Sequence, residues 1–380
     1  MSTPRNPPIL LSSGLADLAA RSLHIFDAET AHGLSIKALS GGWAARLGLR
    51  YGPEDPVLKT ELVGLSFPNV IGLAAGYDKN AEVPGALFDL GFGFVECGTV
   101  TPLPQAGNPR PRLFRLTPDQ AVINRMGFNN DGLEAFAARL EAARRAGLPG
   151  PIGANIGANK DATDRIADYV TGLERLWGLP DYFTVNISSP NTPGLRALQG
   201  RAPLDELLGR LAEARQRLQG GAGRPTPVFL KIAPDLSEGE IRDAVEAVAD
   251  HGFEGLIVSN TTLERPSDLV SIHQGEAGGL SGAPAFAVAT RALETAARVV
   301  RGLGRQSGPN KLVLIGAGGV DSAETAWAKI RAGADLVQLY SALVYGGPGL
   351  VARLRTGLKR RLEAEGFRQV SEAVGTGLRD

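Results

Sequence analysis

Short apolar runs bounded by glycine and polar residues recur along the chain from about residue 70. Eight can be identified, at 70–74, 92–97, 152–156, 183–187, 228–232, 255–259, 312–315 and 335–340. Most are separated by segments with helical spacing of apolar residues, such as 203–218 and 238–250. The alternation predicts an α/β fold, and eight parallel strands joined by crossover helices form a (β/α)8 TIM barrel.

A doubly wound open sheet is the structural alternative, because it also alternates strands and helices. Polar residues follow nearly every apolar run instead of clustering at one switch point, and this favours the barrel. The loops that follow barrel strands form the working end of such a fold. Two gaps between runs, 99–151 and 260–311, are long and carry polar or glycine-rich clusters. We interpret them as active-site insertions.

The beginning of the chain has a different pattern. Leu11, Leu15 and Leu18, and then Leu34, Ala38 and Trp43, fit apolar stripes at helical spacing. We predict a small helical extension, a hairpin, over residues 1–55, followed by the barrel over 56–380. The alternative is that these two helices pack on the barrel floor.

Composition excludes several classes of protein. Forty Lys and Arg balance forty Asp and Glu, so charge indicates no nucleic-acid partner. The single Cys97 excludes an internal disulfide framework, and the four histidines lack metal-ligand spacing, so no metal is expected. No apolar stretch reaches the roughly 18 residues of a membrane span, and the N-terminus lacks a signal-peptide pattern. We expect a reducing compartment.

The loop after the fourth run is rich in amide and hydroxyl side chains. Its two prolines and Gly194 forbid a regular helix, so Asn186, Ser188, Ser189 and Asn191 would face one small volume. A simple Asn/Pro-rich turn is the alternative interpretation. Further amides follow other runs, and together they suit the C=O and N–H pattern of a planar heterocycle.

Lys231 lies on the otherwise apolar fifth run, so its amine is expected to point into the barrel, where it needs an anionic partner. An anionic reduced flavin, with negative charge near N1 and O2, is a natural one. Small residues after the first run would let a planar ring lie against the backbone, with Lys79 as a nearby cation.

Glycine-rich turns follow the seventh and eighth runs, at 316–319 and 340–347. Tight turns are the simpler interpretation, but these two positions favour a phosphate site. We expect Asp321 to cap the helix after the first of these turns, with Glu324 completing a capping box.

Six motifs together resemble the quinone-dependent, membrane-associated class of dihydroorotate dehydrogenases. They are LAAGYDK (73–79), NRMGFN (124–129), NISSPNTPGLR (186–196), LKIAPD (230–235), SNTT (259–262) and GGLSG (278–282). The likeness runs from about residue 28 to 358. It implies a TIM barrel that binds FMN, oxidises (S)-dihydroorotate to orotate in de novo pyrimidine (UMP) biosynthesis, and is reoxidised by a membrane quinone.

The same resemblance assigns the site residues. FMN would be surrounded by Ala75, Gly76, Lys79, Thr99, Asn155, Asn186, Lys231, Ser259, Gly282, Gly318, Gly319, Tyr340 and Ser341. Dihydroorotate would be held by Lys79, Asn124, Arg125, Met126, Gly127, Phe128, Asn186, Asn191, Asn260 and Thr261. Ser189 matches the family's catalytic base, which takes the C5 proton while a hydride leaves C6 for flavin N5. A serine needs help from its surroundings to act as a base.

Two features select the quinone class. The soluble classes use a cysteine as base, whereas here that position is Ser189, and Cys97 is expected to be a small buried hydrophobe on the second strand. Residues 27–37 resemble the helices that form the quinone tunnel, so His32, Arg115 and Tyr340 would line the quinone path. His32 as an ordinary surface or core histidine is the alternative.

The resemblance also implies peripheral association with the cytoplasmic side of the cell inner membrane. The chain departs from the family pattern at Ala158, where many relatives have Lys, and at Tyr77, where Leu or Phe is common. Two other functions compete with this one. A non-redox isomerase or lyase would need a carboxylate or histidine base at a strand exit, and a catalytically silent membrane adaptor would not need Ser189.

Overall fold

The computed structural model describes residues 14, 17, 18, 20–43, 50–220 and 226–378. In chain order its strands are β1 (Thr60–Leu62), β2 (Leu65–Phe67), β3 (Ile71–Leu73), β4 (Phe94–Val100), β5 (Leu113–Leu116), β6 (Ala121–Asn124), β7 (Ile152–Ile156), β8 (Tyr182–Asn186), β9 (Val228–Ile232), β10 (Gly255–Val258), β11 (Gly279–Gly282), β12 (Val313–Ala317) and β13 (Leu336–Leu339).

The helices connect these strands and cover the outside of the barrel. They are α1 (Ala28–Ser40), α2 (Pro84–Asp89), α3 (Leu133–Arg145), α4 (Arg165–Leu176), α5 (Arg201–Gln219), α6 (Glu238–Asp250), α7 (Phe286–Gly302), α8 (Ala323–Arg331), α9 (Ser341–Gly346) and α10 (Leu350–Glu365). The two helices predicted at 203–218 and 238–250 are α5 and α6.

Eight parallel strands close into a barrel in the order β10-β12-β13-β3-β4-β7-β8-β9. Each of the eight predicted apolar runs overlaps one of these strands, so the TIM barrel is confirmed. The open sheet is excluded, because β10 pairs with both β9 and β12 and leaves no edge. The hairpin of β1 and β2 places Phe67 edge-on against Phe94, which lies at the start of β4.

The barrel interior is layered, and the layers explain where the polar site begins. Near the start of the strands, the rings of Phe94, Tyr182 and Phe229 pack edge to face, with centroids 5.5 to 6.5 Å apart. Side chains two residues further along a strand point to the same side. The next layer is therefore built from Glu96, Thr184 and Lys231, all of them buried. Buried polar side chains therefore begin about halfway along the barrel strands.

Both long gaps contribute to a small antiparallel sheet with the strand order β11-β6-β5. Asn124 on β6 pairs with Leu113 on one side and Gly279 on the other. The sheet buries Phe114, Leu116, Ile123 and Leu280 in a second apolar cluster with Leu269.

Helix α1 lies over the mouth of the barrel, and the predicted helical extension is thereby confirmed. The Tyr77 hydroxyl, just beyond the end of β3, donates to Ser35 Oγ at 3.0 Å. Arg112 binds Glu29 of α1 through Nε and Nη2, at 3.1 and 2.7 Å. The alternative of helices on the barrel floor is wrong for α1. Leu18 of the first predicted stripe is helical, whereas Leu11 and Leu15 lie outside the described residues.

The predicted cap of helix α8 is wrong by one residue. Ser322, not Asp321, is the N-cap, and its hydroxyl accepts from the Thr325 backbone N–H at 3.3 Å. Thr325, not Glu324, completes the capping box. Asp321 instead accepts a hydrogen bond from the Thr325 hydroxyl at 3.0 Å. A serine next to an aspartate offers two possible caps, and the sequence alone does not say which one has the extended backbone that a cap requires.

Candidate active site

One cavity of about 940 Å³ extends from the polar layer of the barrel to the underside of α1. Its volume is at the upper end of the range usual for ligand pockets, roughly 300–1,000 Å³. Of the residues assigned above to FMN, substrate and quinone, all except Arg125 and Asn155 line it. The barrel topology thus brings together side chains that are up to 309 positions apart, from His32 to Ser341.

Ser189 lies at the polar end of the cavity and is buried. Its hydroxyl oxygen accepts from the Asn191 backbone N–H at 3.3 Å. The Asn191 side chain donates to Asn124 Oδ1 at 3.2 Å, which ties this loop to the antiparallel sheet. Within the described residues, no carboxylate or imidazole hydrogen-bonds to Ser189. The serine is therefore not part of a Ser-His pair.

Lys79 is held between the barrel and α1. Its ammonium donates to the Gly76 carbonyl at 2.6 Å and lies 3.5 Å from His32 Nε2. Burial lowers the pKa of Lys79 to about 8, against the opposing effect of Glu29. Burial also lowers the pKa of His32 to about 3, with Lys79 contributing. His32 is therefore neutral near pH 7 and can accept a hydrogen bond from the ammonium.

Lys231 points into the barrel, as predicted, and lines the cavity. Its ammonium lies 3.9 Å from Glu96 Oε1, so an anionic partner is already present within the protein. Burial lowers the pKa of Lys231, and the carboxylate opposes that shift. The sequence analysis missed Glu96. The signal was available, because a charged residue on the apolar strand β4 meets the same argument that singled out Lys231.

Three residues of the cavity wall have a buried polar atom with no hydrogen-bond partner among the described residues, and these atoms point to a polar ligand. They are Gln338 Oε1, deep in the barrel, Thr261 Oγ1, near Asn260, and Asn129 Oδ1. Buried acceptors and hydroxyls are normally satisfied. N–H and C=O groups along the edge of a planar ring are the partners that such oxygens and hydroxyls take, and this is the chemistry of a flavin and of a pyrimidine.

The turn after β12 offers backbone to a ligand. Gly318 and Gly319 have φ values of +98° and +75°, which side chains rarely adopt. A Cβ on Gly319 would lie only 2.4 Å from Phe286. Tyr340 and Ser341 line the same cavity from the end of β13. This is the position after strands seven and eight where the phosphate site was predicted, and the residues fit FMN.

Arg125 and Asn155 lie away from the cavity. Arg125 donates to Glu276 Oε2 at 2.8 Å, and its guanidinium lies 4.6 Å above the Phe114 ring. Asn155 lies behind the cavity wall, where it donates to Glu96 Oε1 at 2.8 Å. Their assignments to substrate and FMN stay predictions.

The other end of the cavity is mostly apolar and lies under α1. His32, Tyr77 and Tyr340 pack ring against ring there, with centroids 5.2 to 6.5 Å apart. Arg115 donates to the carbonyls of His24 and Phe26. Beside this end, Ile25 is 85% exposed, and Phe26 and Trp43 are also exposed. Among the described residues, no helix has the length and apolarity needed to cross a bilayer.

Cys97 is fully buried on β4, as predicted, and its thiol donates to Asp78 at 3.8 Å. Burial raises the pKa of the thiol well above its usual range, so it is not an available base. We expect Cys97→Ala to leave the rate of substrate oxidation unchanged and to cost about 1 kcal/mol in free energy of unfolding. Anaerobic kinetics and thermal unfolding check this. A loss of oxidation in a folded variant would contradict it.

Comparison with known proteins identifies the family. The family model for dihydroorotate dehydrogenase matches residues 57–362. Proteins named dihydroorotate dehydrogenase (quinone) are similar over 95% of both chains, with 55% identity for that of Brucella melitensis biotype 2 and 54% for that of Brucella ovis. Two solved structures of DHODH from Eimeria tenella are also similar, each with a TM-score of 0.86 and 37% identity over 93% of this chain. The match covers 96% of the chain in the complex with ferulenol and 100% of the ligand-free chain. The chain belongs to the dihydroorotate dehydrogenase family.

Proposed function

We propose that this chain is a quinone-dependent dihydroorotate dehydrogenase that oxidises (S)-dihydroorotate to orotate for pyrimidine synthesis and uses FMN. The observation that carries the proposal is a single cavity whose polar end contains Ser189 and Lys231 and whose apolar end lies under α1. FMN bound in this cavity would supply the hydride acceptor for dihydroorotate and the redox link to the quinone. The full-length relatives named for the quinone reaction support this assignment.

Ser189 is the proposed base for the C5 proton of dihydroorotate. Proton transfer leaves negative charge on the accepting oxygen, and the Asn191 backbone N–H already donates to that oxygen. A hydrogen bond to the charged form of a group favours that form. Burial excludes bulk water, so this bond is stronger than it would be at a surface. These two effects are the local help that a serine base requires.

The remaining polar side chains hold the substrate. The Lys79 ammonium is suited to the carboxylate of dihydroorotate, which makes a charge-assisted contact. Asn124, Asn191, Asn260 and Thr261 are proposed to bind the amide edges of the ring, and Thr261 Oγ1 has no partner within the part of the chain that the structure describes. The glycines after β12, together with Tyr340 and Ser341, are the proposed cradle for the FMN phosphate.

The N-terminal segment 1–55 is the proposed membrane-associating part, with the barrel over 56–380. Ile25, Phe26 and Trp43 expose apolar surface beside the apolar end of the cavity. A quinone dissolved in the bilayer could then enter along His32, Arg115 and Tyr340 without crossing water. Such an arrangement suits peripheral association, here with the cytoplasmic side of the cell inner membrane.

An anaerobic titration tests the proposal. Purified protein is expected to be yellow, to lose its flavin absorption band on addition of dihydroorotate, and to regain it on addition of a quinone. Protein that takes up no FMN would overturn the proposal. A non-redox isomerase or lyase predicts no flavin and needs a carboxylate or histidine base, and no such group contacts Ser189 in the described chain.

The pKa of Lys79 predicts how substrate affinity depends on pH. Because burial lowers this pKa to about 8, the amine is charged below pH 8 and neutral above it. The KM for dihydroorotate should be flat below pH 8 and should then rise toward about tenfold per pH unit. In Lys79→Arg the guanidinium stays charged over this range. The KM of this variant for dihydroorotate should therefore not change with pH, even if it differs from the KM of the unaltered protein. Flavin reduction measured from about pH 6 to about pH 10, the span over which this lysine titrates, provides both pH profiles. Parallel curves for the two proteins would contradict the assignment of Lys79 to the substrate carboxylate.

A further inference from the structure

Glu96 is a carboxylate in the middle of the barrel that the proposed reaction does not use. Its side chain has no exposed surface. It accepts hydrogen bonds at 2.8 to 3.4 Å from four surrounding side chains, Asn155, Thr184, Gln338 and Tyr182. The Lys231 ammonium lies 3.9 Å away. Burying a carboxylate costs free energy of desolvation, and its hydrogen-bond donors offset part of that cost. The carboxylate and these donors therefore fix one another's orientation.

One of these donors begins a chain of hydrogen bonds that ends among the substrate-binding residues. Asn155 Oδ1 accepts from the Thr99 hydroxyl at 2.5 Å, and Thr99 Oγ1 accepts from Asn186 Nδ2 at 3.0 Å. Asn186 Oδ1 accepts from the Ser188 hydroxyl at 2.9 Å, and Ser188 Oγ accepts from Asn260 Nδ2 at 2.9 Å. Each donor along the chain points back toward the carboxylate.

The neutral side chains alone do not fix the direction of such a chain. A side-chain amide can donate or accept, and a hydroxyl can do both, so the Asn, Ser and Thr side chains by themselves could be bonded either way. At the far end, the backbone N–H groups of Ser188 and Thr261 donate to Asn186 Oδ1 and Asn260 Oδ1, at 3.3 and 2.8 Å, and favour the direction seen. An ionised carboxylate only accepts. It therefore forces Asn155 to turn Nδ2 inward, and each following member has one remaining way to complete its bonds. The same carboxylate accepts from Gln338 Nε2 and leaves Gln338 Oε1 without a partner among the described residues.

We propose that Glu96 is a positioning residue: its carboxylate orients Asn155 and Gln338 and, together with the backbone N–H groups of Ser188 and Thr261, holds the direction of this hydrogen-bond chain and the polar atoms that it presents to the bound rings. The inference rests on the proposed function, because it assumes that a flavin and a pyrimidine bind there. Glu96 acts through these side chains and is not proposed to contact the reacting atoms C5 and C6 of dihydroorotate.

Glu96→Gln tests the proposal, because it keeps the size of the side chain and adds an N–H2 donor. That donor opposes Asn155 Nδ2 or Gln338 Nε2, so an amide must flip or lose its bond. We expect the dissociation constant of orotate and the KM of dihydroorotate to rise about tenfold or more, with a smaller fall in kcat. Orotate binding is followed by the change it causes in the flavin absorption band, without turnover.

Thr184→Val is the matched control. It removes a bond of 3.0 Å to the same carboxylate, at an equally buried position, but leaves the chain to Asn260 intact. Orotate affinity should stay close to that of the unaltered protein. A loss equal to that of Glu96→Gln would mean that Glu96 only supports the barrel, and would overturn the proposal.

Two further variants distinguish a change in the direction of the hydrogen-bond chain from a failure of the protein to fold. Combining Glu96→Gln with Asn155→Asp moves the negative charge one link along the chain, so Thr99 again donates toward a carboxylate, and orotate affinity should partly recover. Ser188→Ala removes the two shortest bonds between Asn186 and Asn260, leaves only the direct bond of 3.3 Å from Asn260 Nδ2 to Asn186 Oδ1, and does not alter the buried charge. It should weaken orotate binding, and it serves as the test if Glu96→Gln does not fold. Unchanged orotate affinity in Ser188→Ala or Glu96→Gln overturns the inference. An unaltered protein whose flavin dihydroorotate does not bleach refutes the proposed function instead.

Discussion

Replacing Ser189 by alanine should slow the reduction of the flavin by dihydroorotate by about a hundredfold to ten-thousandfold, which is the usual contribution of a general base. The variant loses the hydroxyl that we propose takes the C5 proton but keeps the surrounding amides, so FMN and orotate should still bind. The loss should appear in the rate of flavin bleaching at saturating substrate, measured anaerobically by stopped flow, and not in KM.

Ser189→Cys is the informative companion. A thiol ionises more easily than a hydroxyl, so this variant should retain more activity than the alanine variant, with a pH profile shifted to lower pH. The native thiol of Cys97 is fully buried on β4 and cannot substitute for the missing base. Bleaching of Ser189→Ala at the rate of the unaltered protein would show that another group removes the proton.

The fold was predictable because each barrel strand is encoded locally. A short apolar run with a polar residue at its end is sufficient to identify a strand such as β8 and the side that carries chemistry. The same logic predicts that Ser189 and Asn191 share a cavity with Lys231, as the structure shows, although 40 positions separate Asn191 from that lysine. Parallel strands in a closed barrel end at one mouth, so long-range proximity follows from topology alone.

Features that depend on side-chain partners were harder to predict. The sequence could mark Glu96 as a buried charge but could not give its hydrogen-bond donors, because they come from three other strands and no spacing along the chain connects them. The position of α1 depends on pairs such as Glu29 with Arg112, which are 83 residues apart. The cap of α8 was assigned to Asp321, since two adjacent residues could both serve. In each case the deciding interaction is tertiary and has no periodic signal.

Deleting residues 1–50 should abolish quinone reduction and vesicle binding while dihydroorotate still bleaches the flavin. Helix α1 covers the apolar end of the cavity, whereas Ser189 and Lys231 belong to the barrel. The deletion removes Glu29, but Arg112 keeps the carbonyls of Ala106 and Asn108 as acceptors, so the barrel mouth should remain folded. Anaerobic bleaching, quinone turnover and flotation with lipid vesicles measure the three properties.

Point variants in the full-length chain distinguish membrane binding from access of the quinone to the apolar end of the cavity. Ile25→Asp with Phe26→Asp places charge on exposed apolar surface, and partition of charge into a bilayer is unfavourable by several kcal/mol, so vesicle binding should fall. Turnover of a short, water-soluble quinone should persist, because the cavity wall at His32 and Tyr340 is unchanged. Leu303→Asp, an exposed leucine at the end of α7 on the opposite face of the barrel, is the control and should float like the unaltered protein. If the 1–50 deletion still reduced quinone, electrons would have to leave the flavin by another route, and the apolar end of the cavity would need a different role.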